Sequence, residues 1–188
     1  MIKHKEQRVV VLIDVQNLYY SARNLYNTKV NFGAIVEAAV AGRKLIRAIA
    51  YVVSTKTGEE KPFFEALTKV GIETKEKELQ EFFGGAKKAD WDVGLAIDAV
   101  RLASLNDVIV VVSGDGDYYP LYEYLKGHGR QVEVAAFRET TSSKIFDIID
   151  DFINLSDDKE RFLFGYAKPH PIAKGRVGRQ RIPLKSLK

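Results

Sequence analysis

The sequence predicts an α/β domain, doubly wound, with a mainly parallel sheet and helices on both faces. Two apolar runs, VVVLIDV (Val9 to Val15) and DVIVVV (Asp107 to Val112), show no polar alternation, as strands covered on both sides require. Strand-like and helix-like segments alternate along the chain, which is the order that crossover connections between parallel strands produce. At 188 residues, 46% apolar and 29% charged, the chain suits one core without disulfide or metal staples.

The elements follow in order. The first strand ends in Gln-Asn-Leu-Tyr-Tyr, where polarity breaks the run and a helix can begin. Asn31 reads as the N-cap of a helix over Phe32 to Ala41, closed by Gly42. A second apolar strand covers Leu45 to Val53, and after the loop STKTGEE a helix runs from Lys61 to Val70 with Pro62 in its first turn and Gly71 beyond its end. Ile72 to Phe83, rich in Lys and Glu, reads as an edge strand. GGAKKAD is a basic turn that feeds a helix from Trp91 to Ser104. The strand Asp107 to Val112 runs into SGDGD, then a helix from Tyr119 to Lys126 closed by Gly127. A strand over Gln131 to Ala136, a short helix over Ser143 to Ile149 and a terminal strand over Phe152 to Leu155 complete the domain. The expected division is a domain over residues 1–155 and a C-terminal extension over 156–188.

Composition excludes several classes. There is no cysteine, so neither disulfides nor thiolate metal sites exist. No apolar stretch is long enough to span a bilayer and no signal-peptide pattern appears, so the expected location is cytoplasmic, away from membranes. From Lys168 onward there are seven Lys or Arg and no acid; removing those seven charges from the net +4 leaves a body near −3. Arg176, Arg179 and Arg181 in this basic tail are candidate phosphate contacts, as are Lys87 and Lys88; the competing reading of both segments is plain solvation.

Chemistry is expected where parallel strands end, at the switch in strand order. Asp14 closes the first strand, Asp115 and Asp117 follow the strand Asp107 to Val112, and Asp92 opens a helix. If the two strands are central neighbours, the four carboxylates face one pocket. Two like charges about 4 Å apart repel by roughly 4 kcal/mol at an effective dielectric of 20. A divalent cation removes that penalty, and an oxygen-only donor set points to Mg²⁺ or Mn²⁺. Carboxylates, cation and phosphate together make phosphodiester hydrolysis the natural chemistry. Asn17 and Ser113 are the neutral residues placed to orient that shell. Each candidate also has a local reading: Asp14 and Asn17 as helix caps, Asp115 and Asp117 as turn formers, Asp92 as a first-turn acid and Asp90 as an N-cap. Asp98 lies six residues beyond Asp92, well round the helix from it. Among Tyr118, Tyr119, Tyr122 and Tyr124, which are too closely spaced to share one helical face, some belong to the core and one is a candidate base-stacking ring.

VVVLIDVQNLYY (Val9 to Tyr20), KKADWDVGLAIDAVRLA (Lys87 to Ala103) and DVIVVVSGDGDYYPLYEYL (Asp107 to Leu125) together resemble the NYN-domain family, in its LabA-like branch, within the PIN-like nucleases. The resemblance spans residues 8–150. It implies a PIN-like, Rossmann-like three-layer fold and Mg²⁺- or Mn²⁺-dependent, endonucleolytic cleavage of RNA. It places the family's first acid on Asp14 with its amide on Asn17, the helix-opening acid on Asp92, and the Ser-Gly-Asp-x-Asp element on Ser113, Asp115 and Asp117. Asp98 matches a recurring acid without an assigned role.

The expected catalytic set is therefore Asp14, Asp92, Asp115, Asp117 and Asn17, with the four aspartates as metal ligands and Ser113 and Asp98 in support. The expected substrate is RNA, single-stranded in preference, with DNA a further candidate; association between copies of the chain is left open. An aspartyl phosphatase of the haloacid-dehalogenase type needs an acid at position 16, which is Gln, and a Toprim-like site needs Glu in place of Asp14. The alternative that survives is a non-catalytic nucleic-acid-binding or regulatory module with a vestigial acidic pocket.

Overall fold

The computed structural model describes residues 3–81 and 87–166. The elements are β1 (Arg8–Asp14), α1 (Val15–Tyr26), β2 (Lys29–Val30), α2 (Phe32–Val40), β3 (Lys44–Ser54), α3 (Lys61–Lys69), β4 (Glu73–Glu78), β5 (Gln80–Glu81), β6 (Lys87–Lys88), α4 (Asp92–Ala103), β7 (Val108–Val112), α5 (Tyr119–Gly127), β8 (Gln131–Ala136), β9 (Asp151–Asn154), α6 (Lys159–Phe162) and β10 (Leu163–Phe164).

Six strands form one sheet in the order β4-β3-β1-β7-β8-β9, and every neighbouring pair is parallel. The chain builds outward from β1 to β3 and β4, then crosses to β7 and builds outward again. The switch point therefore lies between β1 and β7, where a doubly wound sheet leaves a crevice above the strand ends. Both central strands are buried on both faces, with Val9 to Ile13 and Val108 to Val112 fully inaccessible. Val9, Val11 and Ile13 pack into one core with residues of α1, α2 and α3. Val10 and Leu12 pack into a second core with residues of α4 and α5. This is a three-layer α/β fold, as expected, with a wholly parallel main sheet.

Several local expectations shift. Val15 opens α1 rather than closing the first strand. The lysine- and glutamate-rich edge strand ends at Glu78; Gln80–Glu81 then pairs antiparallel with Lys87–Lys88 in a separate two-stranded ribbon. The segment Ser143–Asp147 is 3-10 rather than α, a single tight turn that buries Ile145. Beyond β9 the chain returns to the body: β10 pairs with β2, and Phe162 and Leu163 join the α1–α3 core. Arg176, Arg179 and Arg181 lie outside the described residues.

Candidate active site

Parallel register aligns the ends of β1 and β7. Ile13 sits opposite Val112, so the next residues, Asp14 and Ser113, emerge side by side at the carboxyl edge. The Ser113 hydroxyl donates to Asp14 Oδ2 at 3.2 Å. Asp14 is also the N-cap of α1, accepting from the Asn17 backbone N–H at 3.0 Å through Oδ1. The capping and functional readings of this residue are thus compatible, because each carboxylate oxygen keeps a further acceptor site. Asn17 Oδ1 accepts from the Gly114 N–H at 3.0 Å, which ties the first turn of α1 to the loop after β7.

That loop is held from both sides. The Asp115 N–H donates to Ser113 Oγ at 3.2 Å, and the Asp117 N–H donates to Asp115 Oδ1 at 2.9 Å. The Ser142 N–H donates to the Gly114 carbonyl at 3.0 Å. A Cβ on Gly114 would lie 2.9 Å from the Thr140 carbonyl oxygen, and one on Gly116 would lie 2.7 Å from Ser142 Oγ. The glycines of SGDGD are therefore required by the close approach of the segment 140–142, which the sequence reading did not connect to the site.

Asp92 reaches the same edge from α4. Trp91 anchors that helix: its indole Nε1–H donates to the Val52 carbonyl near the end of β3, at 2.8 Å, and its ring fills the space where a Cβ on Gly94 would be. The Tyr118 hydroxyl donates to Asp92 Oδ1 at 3.0 Å. Tyr118 and Tyr122 belong to the core beneath the acids, whereas Tyr124 is 44% exposed. The Tyr122 hydroxyl is buried without a hydrogen-bond partner among the described residues, and its charged neighbours there are Asp115 and Asp14.

The acids feel one another. Burial pushes the Asp14 carboxyl above its ordinary value, the Asn17 N–H opposes, and the charges of Asp92 and Asp115 push it further. Asp92 is raised by burial first, against the Tyr118 hydroxyl, and by the charges of Asp115, Asp90 and Asp117. Asp14, Asp92, Asp115 and Asp117 thus share one field at the switch point. They are not closed on a point: among the described residues no three carboxylates or imidazoles stand close enough together to grip an ion.

Asp98 is not part of this group. It accepts from Lys75 Nζ at 2.6 Å and from the Tyr51 hydroxyl at 2.8 Å. Burial alone would raise its carboxyl, but these two partners outweigh it and hold the group below the ordinary value. Lys87 and Lys88 form β6 ahead of α4, and their side chains lie outside the described part of the structure.

A family model for the NYN domain matches residues 8–156. This chain belongs to the NYN domain family. NYN domains are PIN-like nucleases, typically metal-dependent, and the all-parallel three-layer fold agrees with that class. This NYN chain is similar to the low amplitude and bright protein LabA of Synechococcus elongatus, 23% identical over 92% of this chain and 96% of the other. It also matches the crystal structure of a protein of unknown function from Vibrio parahaemolyticus, with a TM-score of 0.77 and 30% identity, covering 87% of this chain and 99% of that one. Among the described residues no helix is long and apolar enough to cross a membrane.

Proposed function

We propose that this NYN domain is a Mg²⁺- or Mn²⁺-dependent ribonuclease that hydrolyses phosphodiester bonds within single-stranded RNA. The observation that carries the reading is the shared field of Asp14, Asp92 and Asp115, three carboxylates from distant segments set at the switch point with burial raising two of them. A protein keeps such a destabilising arrangement where function needs it. The donor set fits a hard cation: every candidate ligand is a carboxylate oxygen, with the Tyr122 hydroxyl, unpartnered among the described residues, beneath. Bound there, the ion supplies charge to offset the phosphate and acidity to a nearby water.

The chain's own residues do the rest. Asp14, Asp92 and Asp115 would hold the ion, with exposed Asp117 as a further carboxylate for it. Tyr118 takes one oxygen of Asp92 and the Asp117 N–H takes one of Asp115, so each carboxylate is aimed with its second oxygen left over. Ser113 and Asn17 are positioning residues, locking Asp14 and the Gly114 loop. Lys87, Lys88, Arg176, Arg179 and Arg181 are the cations assigned to the RNA backbone, whose phosphates account for most of the affinity in such complexes. DNA shares that backbone charge and is the competing substrate.

The competing reading is a nucleic-acid-binding module without cleavage. Labelled single-stranded RNA, incubated with Mg²⁺ or Mn²⁺, separates the two when an Asp14→Asn/Asp115→Asn variant runs beside the parent. Internal cleavage by the parent alone supports the ribonuclease. Binding by both with cleavage by neither overturns it.

A further inference from the structure

Helix α4 carries an apolar face that nothing among the described residues covers. Val93, Ile97 and Val100 are 70%, 46% and 38% exposed, at the i, i+4, i+7 spacing that helices use to pack on other helices. They line an open groove of about 600 Å³ between α4 and α5, which begins at Asp92 and Asp117 and ends at Arg101. The lining residues of α4 read alike from either end, with the charge reversed. Asp92 opens the series and Arg101 closes it, Val93 answers Val100, and Ala96 answers Ile97.

We infer that α4 is a two-fold, antiparallel docking surface for a second copy of this chain. A two-fold axis between Ala96 and Ile97 seats each Ile97 over the partner's Ala96, a large side chain against a small one. It sets Val93 against the partner's Val100. It brings Arg101 of each copy to the partner's Asp92 and Asp117, at both ends of the contact. Arg101 is exposed and makes no side-chain hydrogen bond or ion pair among the described residues; its charge is felt by Asp98 on the same helix, and its guanidinium donors remain open to a partner. A parallel pairing would instead stack Asp92 on Asp92 and Arg101 on Arg101, at a Coulomb cost. An isologous contact is self-complementary by definition, and this face meets that condition in apolar shape and in charge. Charge complementarity therefore selects a second copy over an unrelated apolar partner. The arrangement also delivers the partner's Arg101 to the mouth of the candidate active site. That consequence rests on the proposed nuclease reading, whereas the assembly itself does not.

Sedimentation velocity in the micromolar range, without RNA or metal, tests the assembly alone. The expected result is a species of twice the 21.2 kDa chain mass. Ile97→Glu raises the dissociation constant at least about tenfold. Arg101→Glu and Asp117→Lys, both surface changes, each weaken the dimer, because each sets like charges together at both ends. Mixing those two variants restores it, since one end then sets the two reversed charges against each other and the other keeps the native pair of Arg101 with Asp117. A monomeric parent overturns the inference, as does a dimer indifferent to Ile97→Glu. Failure of the mixture to reassociate overturns the antiparallel pairing. Single-stranded RNA binding that is lost in Ile97→Glu, with no dimer in the parent, assigns the groove to nucleic acid instead.

Discussion

Replacing Asp14 by Asn should make the protein more stable while removing its activity. Asn keeps the capping acceptor for the Asn17 N–H, and its side-chain amide N–H donates to Ser113 Oγ where Asp14 accepted from it, so both contacts survive in neutral form. What disappears is a part-buried negative charge facing Asp92 and Asp115. The folded-state pKa of Asp14 lies above its ordinary value of 3.8, so ionisation costs folding free energy. That cost is absent well below pH 3.8 and grows as pH rises from there through the folded-state value. The raised value is already net of the Asn17 and Ser113 hydrogen bonds, which oppose burial, so its direction fixes the sign: the variant is the more stable at neutral pH. Each kcal/mol gained reads as about 2–4 °C in Tm for a domain of this size. Urea denaturation of parent and variant at neutral pH and again below pH 3.8 measures it. The gain should vanish in acid. Destabilisation by more than about 1 kcal/mol at neutral pH, the usual cost of losing a cap, would show that Asp14 serves the helix rather than the acidic site.

Three further outcomes follow from the packing. Glu133 and Arg43 form a bidentate pair at 2.7 and 2.8 Å with side chains 0% and 1% exposed; Glu133→Ala strands the guanidinium and should cost about 3–5 kcal/mol in chemical denaturation, whereas Arg43→Met with Glu133→Leu should recover most of it. Gly114→Ala forces a Cβ to within 2.9 Å of the Thr140 carbonyl oxygen, so it should cost about 1–3 kcal/mol and lower cleavage by displacing Asp115, read by thermal melts beside the RNA assay. Arg8 hydrogen-bonds to Asp107 and holds its carboxyl at about 2, so the pair stabilises the fold above pH 3.8 and loses that contribution as pH falls toward 2; Asp107→Asn should cost under about 1 kcal/mol at neutral pH, screened as the pair is, and nothing once both proteins are titrated below that range.

The fold was legible because its central strands are long, β-branched and buried on both faces, a pattern that local turns do not mimic. Asp14, Ser113 and Asp115 could be placed because strand ends fix them and parallel register aligns them. Asp92 was harder to place. Its position depends on Trp91 reaching the Val52 carbonyl and on Gly94 leaving room for the indole, contacts between segments that no periodicity encodes. In sequence Tyr118 is one of a cluster of aromatics, and only the fold puts its hydroxyl on Asp92. Asp98 matched a motif position, yet Lys75 and Tyr51 claim it, and only the pairing of β3 with β4 brings Lys75 near. The strands β2 and β10 have two residues each, too few for any pattern to announce. The exposed face of α4 stayed hidden because a helix apolar on two sides reads as a buried one.

Whether the acids accept a cation is the most direct question, and titration of Mn²⁺ into the metal-free protein, followed by calorimetry, answers it. One or two ions should bind saturably, be displaced by Mg²⁺, and fail to bind in Asp14→Asn/Asp115→Asn. Absence of saturable binding at millimolar Mn²⁺, or binding that the double variant retains, would contradict the assignment of these carboxylates to a metal.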